Sequence, residues 1–288
     1  QDAALAMSRY GIRHVPVTDA DGRVVGILSE RDLFALQRLS LKQVSTAIRA
    51  APDVATLRAV SQDIRRFAGN LLGQGVGARQ LTELISHLND VLTEHLVAIV
   101  AAAHRIDLKQ GCWLAFGSEG RSEQTVATDQ DNGIVFASDD ADRDRPAWLA
   151  FAREVNEALD ACGYPLCKGN VMASNPACCL TQAEWMARFA DWIDHGAPED
   201  LLNASIYFDF RPIAGDATLT QSMREMVSLH AGRNARFMKQ MAENALRHGP
   251  ALTWTGAIDT HVQGDQRVID LKLHGTAIYV DAARLFAL

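Results

Sequence analysis

Two aspartates one residue apart, Asp129 and Asp131, stand just before an apolar run from Gly133 to Ala137. Side chains at i and i+2 of a strand project from the same face. The spacing therefore predicts two carboxylates side by side, roughly 6–7 Å apart at about 3.3 Å of rise per residue. Two anions that close are costly unless a cation lies between them, and paired carboxylates are hard oxygen ligands suited to Mg²⁺ or Mn²⁺. Upstream, Gly117 and Ser118 end a second apolar run that opens at Trp113. A Gly-Ser turn can aim backbone N–H groups at an anion with no Cβ in the way. Arg121 adds a guanidinium that can grip phosphate bidentately. An anion cradle followed by a metal pair is the equipment of a site for a metal-bound polyphosphate.

A third acid, Asp209, lies in the apolar stretch Ser205 to Gly215. That stretch reads as a strand carrying a carboxylate inward or to a cleft edge. An unpaired buried acid is expensive, so a metal, Arg211 or a substrate hydroxyl is its expected partner.

The elements that must position these groups follow from periodicity. Residues 1–38 read helix, strand, strand, helix, with Asp19 to Gly22 as turn chemistry and Ser29 as the cap of the last helix. Residues 40–105 read as helices, with Asp53 as a cap and Leu81, Leu84, Ile85, Leu88, Leu92, Leu96 and Ile99 on one face. His87 and His95 on that face have no acid or Cys at ligand spacing and read as ordinary helix histidines. Residues 106–215 hold the two strands of the motif, a helix ended by Gly163, and a helix from Thr181 to Ile193. Leu219 to His248 reads as helical with a Met-rich stripe that is core packing, and Val268 to Gly275 as a strand end. The fold class expected is α+β, with a small mixed-sheet core, a helical connector and a helical C-terminal domain.

Of the 288 residues, 48% are hydrophobic and 22% charged, with a net charge of −7, so the chain can bury a sizeable core and offers no basic footprint for nucleic acid. The longest apolar run, Leu96 to Ala103, is too short to span a bilayer. Cys112, Cys162, Cys167, Cys178 and Cys179 are odd in number and lack paired C-x-x-C spacing, which predicts reduced thiols in a cytoplasmic protein. A start at Gln1, in mid-pattern and without Met, predicts a piece of a longer protein.

The Gly117-Ser118 turn followed by Asp129-x-Asp131 on the next strand resembles the nucleotidyltransferases of the DNA polymerase beta superfamily. The longer wording G-S-E-G-R-S-E-Q-x-x-x-T-D-Q-D-N is similar to a bacterial family of nucleotidyltransferases linked to CBS domains, related to the nitrogen-signalling uridylyltransferases and to glutamine synthetase adenylyltransferase. The stretch D-F-R-P-x-x-G at Asp209 resembles a motif of the adenylyltransferase relatives, and Asp270-Leu271-Lys272 ahead of Gly275 resembles a short D-L-K motif of the uridylyltransferase relatives, with a solvent-exposed strand end as its equal alternative. The run G-N-V-M-A-S-N-P from Gly169 has a counterpart in the family, which implies a substrate-side loop. At the N-terminus, G-I-R-H-V-P-V-x-D-x-x-G-R-V-V-G-I-L-S-E-R-D-L resembles a CBS module.

These resemblances imply a partial CBS module over 1–39, a connector over 40–105, a nucleotidyltransferase core over 106–215 and a helical domain over 216–288. They imply transfer of a nucleoside monophosphate from an NTP, ATP or UTP, to a hydroxyl acceptor that could be a protein, with release of pyrophosphate. Asp129, Asp131 and Asp209 would be catalytic and hold Mg²⁺ or Mn²⁺. Gly117, Ser118, Arg121 and Arg211 would bind the nucleotide. Paired CBS modules bind adenine nucleotides, and there Ser29 and Asp32 would contact ribose and phosphate, although plain capping suits a single module better. The helices of 40–105 would relay that module to the core or form a homodimer surface. A competing expectation is a catalytically silent protein that senses nucleotides or serves as a scaffold.

Overall fold

In this computed structural model, residues 3, 6–7, 10–29, 41–125, 128–247, 249–264 and 266–288 are described. Residues 3, 6–7 and 10 are helical and precede a hairpin of β1 (His14–Thr18) and β2 (Val24–Ser29), antiparallel across a turn in which the Asp19 carboxylate accepts from the N–H of Asp21 and Arg23. Residues 41–50 are helical. Two long helices follow, α1 (Val54–Gly73) and α2 (Ala78–His104). Asp53 caps the first by accepting from Thr56 N–H at 2.7 Å, as its side-chain chemistry predicts.

The central sheet has four strands, β3 (Gly111–Ala115), β4 (Asn132–Phe136), β5 (Cys179–Thr181) and β6 (Arg211–Gly215), in the order β5-β4-β3-β6. β3 runs antiparallel to both β4 and β6, while β4 and β5 are parallel. The parallel pair needs a crossover, supplied by α3 (Ala141–Ala161). Helices α4 (Gln182–His195), α5 (Pro198–Tyr207), α6 (Thr218–Arg233) and α7 (Ala235–Ala245) then lead to a small hairpin, β7 (His261–Gln263) and β8 (Gln266–Val268), and to α8 (Ala277–Ala287). The mixed-sheet α+β architecture expected from the sequence is thus present.

The runs at 113–116 and 133–137 are apolar at nearly every position because the sheet is covered on both faces. Trp113, Ile134 and Phe136 face a cluster with Leu57, Leu88, Leu92, Leu96 and Phe151. Cys112, Leu114, Phe116 and Val135 face the other side, with Trp185, Phe189, Phe208 and Met223. The helices between 41 and 104 therefore form one wall of the sheet's own core. α2 is long and apolar enough to cross a membrane, yet 61% of its most apolar window is buried inside the protein, which accounts for its composition as a core helix.

Three local expectations are corrected. The stretch at Ser205 is helical as far as Tyr207, because Leu201, Ala204 and Tyr207 bury at a helical spacing, and strand begins only at Arg211. Asp209 sits in the turn between them. The helix expected from Leu219 to His248 is two, broken at Asn234, whose side chain caps the second by accepting from Phe237 N–H at 3.0 Å. The strand expected over Val268–Gly275 ends at Val268, and Lys272–Thr276 is a π-helical turn leading into α8.

Candidate active site

The two strands that carry the motif meet at their ends. Ala115 pairs with Asn132, and Phe116 N–H donates to the Asp131 carbonyl at 2.9 Å, one residue beyond. β4 thus starts at Asn132, and Asp129 lies in the segment leading into it rather than on a strand. The alternation a strand would impose persists all the same: Asp129 is exposed, Gln130 buried, Asp131 half-buried and Asn132 buried.

Gln130 and Asn132 are fastened from α3. Asn156 Nδ2 donates to Gln130 Oε1 at 2.7 Å and to Asn132 Oδ1 at 2.9 Å. Gln130 Nε2 returns bonds to the carbonyls of Asn156 and Tyr164 at 3.0 and 2.8 Å. The backbone of Ala173 donates to Asn132 Oδ1 at 2.8 Å and that of Ser174 to Asn156 Oδ1 at 3.0 Å. A buried amide network with its partners in place holds one conformation. The G-N-V-M-A-S-N-P segment thereby braces the motif through its backbone.

The Gly-Ser turn is a single helical turn, Gly117–Gly120. Gly117 has φ +53°, and a Cβ there would stand 3.5 Å from Asp131 Oδ2, so bare backbone passes alongside this carboxylate. A Cβ on Gly120 would lie 1.7 Å from the Asp209 carbonyl oxygen, which only glycine allows. Burial pushes the Asp131 carboxyl up to about 6; a hydrogen bond with Cys167 opposes the rise, Asp129 adds to it, and Lys272 and Arg121 favour the anion. This donor set fits a divalent cation. It offers hard oxygens, an anion disfavoured by burial and by a like-charged neighbour, and glycine backbone that leaves room beside it. Among the described residues, no group of three or more His, Cys, Asp or Glu side chains is placed to hold a metal.

Asp209 stands in different company. Arg284 Nε and Nη2 donate to its Oδ1 and Oδ2 at 3.1 and 2.7 Å, and Arg121 Nη1 donates to Oδ2 at 2.6 Å. Arg121 also bonds Glu123 Oε2 at 2.8 Å. Arg211 does not pair with Asp209; its two Nη atoms grip Asp90 at 2.9 Å each, and Nη2 also reaches the Glu119 carbonyl at 3.0 Å. Burial pushes the Glu119 carboxyl up to about 8, with Asp90 adding to the rise and Arg211 opposing it.

A cleft of about 540 Å³ opens on this turn. Ser118, Arg121 and Asp129 line one side, and Lys272, Thr276 and Tyr279 of the C-terminal segment line the other. Of the sequence candidates, Ser118, Arg121 and Asp129 share the cleft and Gly117 adjoins Asp131, while Asp209 and Arg211 are drawn into ion pairs. Ser29 ends β2, and Asp32 lies outside the described residues. Sequence reasoning missed Gln130, Asn132, Asn156 and Arg284, and singled out Lys272 only through the short D-L-K resemblance. The first two had a signal in the acid-amide alternation of Asp129 to Asn132; Asn156 and Arg284 are brought in from 24 and 75 positions away along the chain.

Residues 62–199 match the family described as putative nucleotidyltransferase DUF294, and residues 235–288 match the putative nucleotidyltransferase substrate binding domain. Residues 1–38 match the CBS domain. No curated protein matches the chain. The first match begins inside α1, in keeping with the shared core of α1, α2 and the sheet.

Proposed function

We propose, for a chain that belongs to the family of CBS-linked nucleotidyltransferases, that it moves a nucleoside monophosphate from an NTP, ATP or UTP, to a hydroxyl acceptor, with pyrophosphate as the leaving group. The observation that carries this reading is the fixed alternation at 129–132, in which Gln130 and Asn132 are bound inward while Asp129 is left exposed and Asp131 half-buried beside Gly117. Asp129 and Asp131 would hold Mg²⁺ or Mn²⁺, which, when bound, neutralises the triphosphate and stabilises charge on the leaving group. Ser118 and the backbone of its turn bind and orient the phosphates. The Asn156 network holds the two carboxylates in place, so their positions need no reorganisation as substrate arrives. The acceptor attacks the α-phosphorus, its hydroxyl proton is lost, and the bond from that phosphorus to the bridging oxygen breaks.

We extend the proposal to control. The N-terminal module, once paired with another, would bind an adenine nucleotide and act through residues 41–104, whose Ile48, Leu57 and Leu92 share the core of the sheet. In this reading the enzyme would act in signalling, with a protein as the acceptor to test first. The five free cysteines fit a reducing compartment, the cytoplasm.

Incubation with Mg²⁺ and each NTP, with and without candidate acceptors, should release pyrophosphate and leave a labelled nucleotidylated product. The engagement of Asp209 by two arginines favours a second reading, in which nucleotide binds without transfer. NTP binding with no pyrophosphate release over a broad acceptor search would select it.

A further inference from the structure

The cleft beside Asp129 has a wall that the nucleotidyltransferase motif does not supply. Lys272, Thr276, Tyr279 and Val280 come from the C-terminal segment, more than 140 positions downstream. A triphosphate carries several negative charges, and the cleft already holds Asp129 and Glu123. Cations that are not already neutralised decide whether it can bind.

Arg121, the cation the motif itself provides, is engaged by Glu123 at 2.8 Å and Asp209 at 2.6 Å. Arg284 is engaged by Asp209 and by Asp281, and Arg211 by Asp90. Lys272 lines the cleft, is exposed, and makes no ion pair with a described residue. A lysine ammonium is a compact point charge on a flexible stem, suited to phosphate oxygens whose positions shift during transfer.

We propose that Lys272 is the side-chain cation that binds the substrate's triphosphate, presented across the cleft by the C-terminal segment. The inference rests on the nucleotidyltransferase reading and assigns a residue to it. The segment is pinned by Arg284 of α8, 5% exposed at its side chain, whose fork closes on Asp209. Asp209 Oδ2 also accepts from Arg121 of the opposite wall. The ion-pair chain thus ties both walls together and holds the segment that presents Lys272 to the cleft. In this arrangement Asp209 is a positioning residue.

The test is calorimetry of the intact protein with Mg-ATP, Mg-UTP and inorganic tripolyphosphate. Lys272→Gln should weaken binding of all three by about 10–100-fold, the range of a hydrogen bond to a charged group. The melting temperature should not change, because the side chain is exposed, and Lys272→Arg should recover most of the affinity. The double variant Asp129→Asn, Asp131→Asn provides the control. If it loses binding while Lys272→Gln keeps wild-type affinity, Lys272 is the wrong residue and the nucleotidyltransferase reading stands. If the wild-type protein binds neither NTP nor tripolyphosphate, both fall.

Discussion

Asp131 and Asp209 each stand just before a strand that flanks β3, each in touch with the same short glycine turn, yet the fold gives them opposite surroundings. Asp131 lies beside the bare backbone of Gly117 and a cysteine thiol, with burial pushing its carboxyl up to about 6. Asp209 lies under two guanidinium groups that occupy both of its oxygens. One is an anion in no ion pair with a described residue, and the other an anion already answered by two arginines. What an acid can do depends on the cations the fold brings to it, and how closely it brings them.

The sharpest way to break that contrast is to neutralise Asp131 together with Asp129. Asp129→Asn with Asp131→Asn should lower transfer by about 10³-fold or more, since a bound metal supplies several kcal/mol of charge stabilisation. Folding should be preserved or slightly improved, because a half-buried anion is replaced by a neutral amide of the same shape. Pyrophosphate release and thermal melting report the two effects separately. Transfer at the wild-type rate would remove these residues from the chemistry.

The legible part of the site was local. The alternation at 129–132 could be read because a side chain two residues on faces the same way, and it held even though the strand itself starts at Asn132. The strands at 113 and 133 were legible from their unbroken apolar runs, which two covering layers explain. Asp209 was misplaced onto a strand because Ser205 to Phe210 is rich in aromatic residues, while the helical spacing of Leu201, Ala204 and Tyr207 settled the backbone. Its partner Arg284 lies 75 residues away, and Arg211 went instead to Asp90, 121 residues away. No local spacing encodes pairs like these; packing of α8 and α2 against the turn creates them.

The second contrast concerns Asp209 itself. Breaking a buried ion pair by removing one partner costs about 3–5 kcal/mol, since the other charge stays behind. The Asp209 side chain is 12% exposed and that of Arg284 5%, so the pair belongs to that regime. Asp209→Asn should then lower stability by about 3 kcal/mol and weaken nucleotide affinity together with it, as the C-terminal wall loosens. A third catalytic carboxylate behaves otherwise: turnover falls far more than nucleotide affinity, and melting stays close to wild type. Measuring all three quantities on one variant separates the two roles.

Glu119 stands between those cases and gives the smallest effect. It is 7% exposed, and the nearby Arg211 is already gripped by Asp90. Burial, then Asp90 and Asp131, push its carboxyl from 4.5 up to about 8, with Arg211 alone opposing. A carboxyl whose folded pKa stands above its unfolded value holds its proton more tightly in the folded state. Its neutral form therefore favours folding fully below pH 4.5, and that contribution is lost as pH rises toward about 8. The ceiling on this loss is about 4–5 kcal/mol, and relaxation and water entry reduce it to about 1–2 kcal/mol. Glu119→Gln keeps the shape and abolishes the titration. At pH 9 it should be the more stable protein by that margin, about 2–8 °C in melting temperature, and the advantage should vanish near pH 4. Asp131 titrates in the same window, so the informative quantity is the difference between variant and wild type at each pH. A difference that stays flat from pH 4 to 9 would mean that Arg211 serves Glu119 as fully as two arginines serve Asp209.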